Sequence, residues 1–239
     1  MKAAPALVQG LNGFLNLCFP PVCLHCHEQI PDQTFWLCGN CQQRLQPVPE
    51  AHCPKCGCPS DTEACPNCAE MHYAFDRAVS LYLYEGAIKT VIHNLKYSGF
   101  SRIADWLANI AFQTIQADTD LQSVDMVCPV PLHRVRQRER GYNQSALIAR
   151  AMAVKLQKPF QEHILVKNRN TASQTAMSRT ARLSNVRGSF RMGKSAVRGK
   201  RILLVDDVFT TGSTVNEASR TLRAAGAAQV FVLTICHGA

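Results

Sequence analysis

The sequence predicts an α/β protein with a mostly parallel sheet, preceded by a small cysteine-rich module. Short apolar segments alternate with helical segments after residue 77, which is typical of strands joined by helices. Ten of the twelve cysteines lie before residue 69. The 239 residues suffice for one large domain or two small ones. We therefore expect two modules, at residues 1–72 and 73–239.

Each element of the second module follows from its apolar spacing. The strands are expected at residues 78–84, 125–131, 164–166, 202–205 and 229–235, with a strand or hairpin arm at 186–192. The helices are expected at residues 86–97, 101–116, 143–157 and 214–225. In the third helix, Leu147, Ala151 and Val154 have the spacing of an inward face, and Gly226 is suited to end the fourth. Residues 169–185 are polar and predict a loop.

The N-terminal segment shows neither a secretory signal nor a membrane span. Residues 5–19 are apolar, but polar residues interrupt them. A short helix here would place five residues on one face, namely Leu7, Leu11, Phe14, Leu15 and Cys18. No apolar run approaches the ~20 residues that a transmembrane helix needs. We therefore expect a cytoplasmic protein, whose thiols stay reduced.

Eight cysteines form four Cys-x-x-Cys pairs, the spacing of zinc knuckles. The pairs are Cys23 with Cys26, Cys38 with Cys41, Cys53 with Cys56, and Cys65 with Cys68. This repeat predicts a duplicated zinc ribbon with two structural Zn²⁺ ions, each bound by four thiolates. Sequential pairing of the knuckles is the simplest arrangement, and interleaved pairing is the alternative. In an oxidising compartment the same cysteines would instead form disulfides or reactive thiols.

Positive charge is concentrated in one part of the chain. Residues 133–201 hold 17 of the 26 Lys and Arg residues and only two acids, a net charge of +15, whereas the other residues carry −6. Such a region favours an anionic partner, either a diphosphate or a nucleic acid. Tyr97, Phe100 and Tyr142 are candidates to stack on bases, although each also fits core packing.

The most informative segment is residues 202–214, which read Ile-Leu-Leu-Val-Asp-Asp-Val-Phe-Thr-Thr-Gly-Ser-Thr. An apolar strand ends at two carboxylates, and a hydroxyl-rich turn leads into a helix, where Thr214 and Glu217 have capping-box spacing. A helix N-terminus suits a phosphate, and Gly212 lets the backbone approach it. Carboxylates can accept hydrogen bonds from a sugar diol. The segment predicts a ribose-5-phosphate site; the alternative is an ordinary strand, turn and capped helix.

This segment closely resembles the 5-phosphoribosyl-1-pyrophosphate (PRPP) fingerprint of type I phosphoribosyltransferases. The resemblance implies a type I phosphoribosyltransferase-like fold and binding of PRPP together with Mg²⁺. It further implies that Asp206 and Asp207 hold the ribose hydroxyls. The 5-phosphate would be wrapped by Thr210, Thr211, Gly212, Ser213 and Thr214.

Two further segments acquire roles through the same resemblance. Residues 128–144 would contain the pyrophosphate loop, at Leu132, His133 and Arg134, with Arg136 and Arg140 as charge partners. A solvated basic loop is the alternative. Residues 170–182 look like the flexible loop that closes over bound PRPP, and a plain surface loop is the alternative. The candidate residues of that loop are Gln174, Thr175, Ser178, Arg179 and Arg182.

The order of these motifs, with the four knuckles first, resembles the ComF/GntX family from about Leu11 to the end of the chain. The resemblance implies a bacterial cytoplasmic protein that helps to bring in external DNA, in natural transformation, or to use it as a nutrient. We expect it to bind PRPP and single-stranded DNA. The alternative is a catalytically active phosphoribosyltransferase with an unknown acceptor. A third interpretation is that the zinc module docks onto DNA-import or helicase machinery.

Overall fold

The computed structural model describes residues 20–31, 36–60, 65–169 and 186–238. The helices are α1 (Gly39–Gln43), α2 (Pro66–Glu70), α3 (Gly86–Tyr97), α4 (Ile103–Ile115), α5 (Thr119–Gln122), α6 (Arg134–Arg140), α7 (Gln144–Leu156) and α8 (Ser213–Ala224). The strands are β1 (Arg77–Leu83), β2 (Met126–Pro129), β3 (Leu165–Lys167), β4 (Phe190–Met192), β5 (Arg201–Phe209) and β6 (Gln229–His237).

Four strands form a parallel sheet in the order β1-β6-β5-β2, which confirms the predicted fold class. β5 lies inside the sheet and pairs with β2 on one side and β6 on the other. Its residues 202–205 are fully buried because helices cover both faces of the sheet. β3 and β4 form a separate antiparallel pair.

Alternate residues of β5 point into two cores. Leu203 and Val205 pack with α3, α4 and α7 on one face of the sheet. Ile202 and Leu204 pack with α8 and with the β3–β4 pair on the other face. Since successive side chains of a strand point in opposite directions, one apolar run of β5 serves both cores.

The predicted inward face of α7 is only partly correct. Val154 is 75% exposed, whereas Leu147 and Ala151 are partly buried and pack against the core. The helix instead buries Ala146, Ile148, Ala149, Met152, Ala153 and Leu156. These residues recur every three or four positions on a stripe that contains several alanines. The small side chains let α7 pack closely on the sheet, and this stripe therefore takes the inward position.

Several strands differ in length from the prediction, β5 and the segment 186–192 most of all. β5 does not end at Val205 but continues to Phe209, because β6 is equally long and pairs Phe209 with His237. Asp206 and Asp207 thus lie within the strand ladder. The segment 186–192 forms a strand only at Phe190–Met192. By contrast, α3 has the predicted bounds of 86–97.

The cysteine-rich module covers the β1 edge of the sheet. The amide of Val48 donates to the carbonyl of Leu81 at 2.9 Å, and the amide of Leu83 donates to the carbonyl of Gln46 at 2.8 Å. The first cysteine quartet belongs to the core that contains α3, and the second belongs to the core that contains α8. The two quartets therefore lie on opposite faces of the sheet and shield its edge from further strand pairing.

The N-terminal helix face predicted at Leu7, Leu11, Phe14, Leu15 and Cys18 lies outside the described residues. Within the ranges that the structure describes, every helix is too short or too polar to cross a membrane.

Candidate functional site

The eight knuckle cysteines gather into two groups, each with its four sulfur atoms within 4.8 Å of one another. The first group is Cys23, Cys26, Cys38 and Cys41, and the second is Cys53, Cys56, Cys65 and Cys68. The knuckles therefore pair sequentially, and the interleaved alternative is excluded.

The spacing of the sulfur atoms fits a tetrahedral zinc site. Sγ of Cys26 lies 3.5 Å from Sγ of Cys38, and Cys56 and Cys65 are separated by the same distance. Zn–S bonds of about 2.3 Å arranged tetrahedrally place the sulfurs about 3.8 Å apart, whereas a disulfide needs about 2 Å. Burial raises the pKa of the Cys41 and Cys56 thiols, and neighbouring sulfurs raise it further. A bound dication would remove this cost.

Asp206 and Asp207 occupy two different environments near the carboxyl end of β5. Asp207 is buried, and its Oδ2 lies 2.7 Å from Nζ of Lys96, which comes from the last turn of α3. Asp206 is partly exposed and accepts a hydrogen bond of 2.7 Å from the hydroxyl of Ser145 at the start of α7. Among the residues that the structure describes, Lys96 is the one cation that forms an ion pair with either acid.

The pKa values of this group reflect that shortage of positive charge. Burial raises the pKa of Asp206 to about 7. The adjacent charge of Asp207 also raises it, whereas the hydrogen bond from Ser145 lowers it. Burial acts to lower the pKa of Lys96, but the charge and hydrogen bond of Asp207 outweigh it, so the net shift is upward. The net effect favours the charged form of Lys96 and the protonated form of Asp206.

The turn after β5 has the geometry of an anion-binding loop. Gly212 has a φ of 70°, and a Cβ at this position would lie 2.5 Å from the ring of Phe209 and 2.8 Å from that of Tyr73. Only glycine therefore fits here. Helix α8 begins at Ser213, whose hydroxyl lies 2.6 Å from that of Thr211. The first-turn amides of a helix have no acceptor within the helix and suit a phosphate.

The predicted capping box at Thr214 and Glu217 is wrong. Gly212 is the N-cap of α8 and offers no side chain. The carboxylate of Glu217 instead accepts the amide of Gly188 at 2.7 Å and contacts Arg220. The N-cap residue therefore supplies no side-chain cap, and the hydroxyl of Thr211 accepts a long hydrogen bond of 3.4 Å from the amide of Ser213.

The segment that follows the second cysteine quartet holds this turn in place. The hydroxyl of Tyr73 donates to the carbonyl of Thr211 at 3.1 Å. The amide of Ala74 donates to the side chain of Asn216 at 2.7 Å, and Arg223 of α8 forms a two-pronged ion pair with Asp76. Residues 73–76 thus connect the second quartet directly to α8 and to the turn before it.

The basic segment is a helix rather than a loop. His133 caps α6 through a 3.4 Å bond from the amide of Val135, and the helix has no buried residue. Arg140, at the other end of α6, lies 5.0 Å over the ring of Tyr97 and donates to Gln144. Leu132, Arg134 and Arg136 lie with His133 near the start of α6. The pyrophosphate role of all these residues stays a prediction.

The flexible-loop candidates Gln174, Thr175, Ser178, Arg179 and Arg182 lie outside the described residues. The strands on either side of that segment, β3 and β4, are paired. Burial lowers the pKa of Lys167 on β3, while the charge of Asp206 raises it and that of Arg136 lowers it. Lys167, Asp206 and Arg136 therefore lie in one electrostatic neighbourhood, at the base of the predicted flexible loop.

Comparisons with known proteins agree with this arrangement. Residues 14–71 match the double zinc ribbon domain family, and residues 143–239 match the phosphoribosyl transferase domain family. The chain is 31% identical to the DNA utilization protein YhgH of Escherichia coli K12 over 226 residues, which cover 92% of this chain and 99% of that protein. The chain belongs to the ComF/GntX family. Other members include competence protein F of Haemophilus influenzae, 30% identical over 88% of this chain and 94% of its own length, and competence protein ComFC of Bacillus subtilis, 27% identical over 90% and 94%.

Within this ComF/GntX chain, the sequence analysis missed three residues that complete the site. Lys96 and Ser145 contact the two acids, and Tyr73 supports the turn. Each is far from residues 206–214 in the chain and belongs to no local motif. The one available signal was the pair of adjacent carboxylates, because neighbouring acids at the end of a buried strand favour a nearby cation.

Proposed function

We propose that the protein binds the ribose-5-phosphate part of PRPP or of a nucleotide, with Mg²⁺, at the carboxyl end of β5. The single observation that carries this proposal is the joining of two acids to a helix start by a turn that only glycine fits. Ligands of open parallel sheets bind outside the carboxyl ends of the strands. The ribose hydroxyls would donate to Asp206 and Asp207, and residues 210–214 would surround the phosphate.

Titration calorimetry with PRPP and Mg²⁺ tests this proposal. We expect measurable binding to the native protein and at least a tenfold loss in Asp206→Asn, since an amide is a weaker acceptor for the diol. Asp207 is a poorer probe, because its removal leaves Lys96 buried without a partner. Asp125→Asn is the matched control, a carboxylate that accepts the amide of Arg201 at the opposite end of β5. Equal affinity in all three proteins would overturn the assignment.

We further propose that this ribose-phosphate site serves the uptake or use of external DNA in the cytoplasm. The names of the relatives, DNA utilization protein and competence protein, support this role. So does the net charge of +15 over residues 133–201, which exceeds what one diphosphate requires. Single-stranded DNA is the expected polyanion. The zinc ribbons would then serve as a docking surface for DNA-import or helicase machinery.

A catalytic phosphoribosyltransferase is the alternative function, favoured by the complete fingerprint at residues 202–214. In that reaction the anomeric C–O bond breaks, diphosphate leaves with the bonding electrons, and an acceptor forms the new bond. The basic residues of the predicted pyrophosphate and flexible loops would stabilise the departing charge. Release of pyrophosphate from PRPP in the presence of nucleobases or DNA ends would establish catalysis. Binding without release would leave the protein as a PRPP-binding one.

A further inference from the structure

Two large aromatic side chains are exposed near the end of α3. Tyr97 is 63% exposed and Phe100 is 41% exposed, whereas Tyr73, Phe75 and Phe209 are buried in the core. Phe100 contacts the ring of Trp36, which belongs to the first zinc ribbon, at 5.8 Å. The sequence alone left Tyr97 and Phe100 as candidates for core packing, and the structure excludes that for both.

The side chains that the structure places beside the ring of Tyr97 are planar and polar or cationic rather than aliphatic. The guanidinium of Arg140 lies 5.0 Å over its ring, and the imidazole of His93 lies 4.9 Å away. Arg140 ends α6, whose seven residues include four arginines and a single acid. Here the guanidinium of Arg140 faces the ring of Tyr97, and guanidinium groups and aromatic rings are the side chains on which proteins stack unpaired bases.

This surface is fixed beside the ribose-phosphate site. Lys96, the residue before Tyr97, forms the ion pair with Asp207, and the carbonyl of Leu95 accepts the hydroxyl of Tyr142. Tyr142 joins α6 to α7, so the ends of α3 and α6 are tied together. One turn of α3 therefore directs Lys96 into the site and Tyr97 to the surface next to it.

We propose that Tyr97, Phe100 and Arg140 form a base-stacking platform for single-stranded nucleic acid, with the other arginines of α6 contacting its phosphates. This inference rests on the proposed function and names its nucleic-acid surface. Bases of a duplex are stacked on one another and unavailable, so the platform selects unpaired strands. The stacked strand runs beside the site that holds the ribose phosphate.

The experiment compares two fluorescent strands of equal length, oligothymidylate and the same backbone without bases, by anisotropy with the full-length zinc-loaded protein. Stacking of one base on an aromatic ring corresponds to roughly tenfold in affinity. We expect Tyr97→Ala to weaken oligothymidylate binding by about tenfold and to leave the abasic strand unchanged. Tyr97→Phe, which keeps the ring, should stay within about twofold of the native protein. Val154→Ala, which truncates an exposed side chain on α7, is the control for surface loss.

If Tyr97→Ala lowers the affinity for both strands equally, the base-stacking proposal is wrong, and Tyr97 serves only to position Arg140. No binding of either strand to the native protein, or duplex bound as tightly as single strand, would also overturn it. Calorimetry of PRPP binding to Tyr97→Ala distinguishes a failure of this proposal from a failure of the proposed ribose-phosphate site. Unchanged PRPP affinity with lost base discrimination supports both proposals, whereas absent PRPP binding in the native protein would remove the ribose-phosphate assignment alone.

Discussion

At the scale of single residues, the acid pair is electrostatically unfavourable in the free protein. Lys96 neutralises Asp207, and the raised pKa of Asp206, about 7, shows that a second negative charge is unfavourable there. In the unfolded chain an Asp titrates near 3.8. The folded protein therefore holds a proton that the unfolded chain has lost, so Asp206 makes the free energy of unfolding fall as pH rises from about 4 to about 7.

Asp206→Asn should accordingly stabilise the free protein at high pH while it weakens PRPP binding. We expect a gain of roughly 1–3 kcal/mol in unfolding free energy at pH 8 and about a third of that gain at pH 5, measured by chemical denaturation with zinc present. Asp125→Asn is the opposite case, since the hydrogen bond from Arg201 lowers the pKa of Asp125. It should lose stability at pH 8. A destabilised Asp206→Asn at pH 8 would contradict the electrostatic account.

The ion pair between Lys96 and Asp207 yields a second prediction. Lys96→Met leaves the carboxylate of Asp207 buried without a cation and should cost about 3–5 kcal/mol of unfolding free energy. Adding Asp207→Asn should restore most of that stability without restoring PRPP binding. Denaturation and calorimetry on the single and double variants form the cycle. Stability that the second substitution does not restore would show that Lys96 contributes through its aliphatic stem instead.

Sequence reasoning at this scale could use local chemistry but could not anticipate tertiary contacts. Asp206, Asp207 and Gly212 were predicted as site residues because they are neighbours in one recognisable segment, and that role stays a prediction. Lys96 was missed because it reaches the site only after α3 packs on the sheet. Glu217 was assigned to a capping box by spacing, but the nearby amide of Gly188 competes for its carboxylate.

At the scale of elements, the second zinc ribbon supports the turn that we propose binds phosphate. Tyr73 lies five residues after Cys68, packs in one core with Cys53 and Cys56, and donates to Thr211. The first ribbon contacts α3 instead, where His25 lies 3.0 Å from Thr90. The sequence predicted both ribbons from their spacing, yet it gave no indication of which element each would contact.

Loss of the second zinc site should therefore impair ligand binding at a distance. We expect metal analysis to find about two Zn²⁺ per chain and about one in Cys56→Ser, whose PRPP affinity should fall several-fold as the turn loses its support. Tyr73→Phe, which removes a single hydrogen bond, should lower the affinity about two- to tenfold with zinc content unchanged. Tyr82→Phe, on β1, is the matched control. Full PRPP affinity in Cys56→Ser with one zinc bound would refute the support role.

At the scale of the whole molecule, positively charged residues lie at both the carboxyl and the amino ends of the strands of the sheet. α6 and the hydroxyl-rich turn follow the carboxyl ends of β2 and β5, whereas Arg198 and Lys200 precede the amino end of β5. Composition predicted a basic region of +15 and could not divide it between these two edges, because the division depends on strand direction. Only the charge near the carboxyl edge lies beside the ribose-phosphate site and the base-stacking platform.

This distribution predicts a position-specific salt dependence of DNA binding. Each phosphate contact on a single strand lowers the slope of log affinity against log salt by about 0.7. Replacing the exposed Arg134 and Arg138 by Gln should therefore flatten the slope by about 1.4 without altering the preference for bases over abasic backbone. The control replaces Arg198 and Lys200 by Gln, an equal loss of charge at the opposite edge, and should leave the slope within about 0.3 of the native value. Equal flattening in the two double variants would mean that DNA senses net charge alone, and the path along α6 would be wrong.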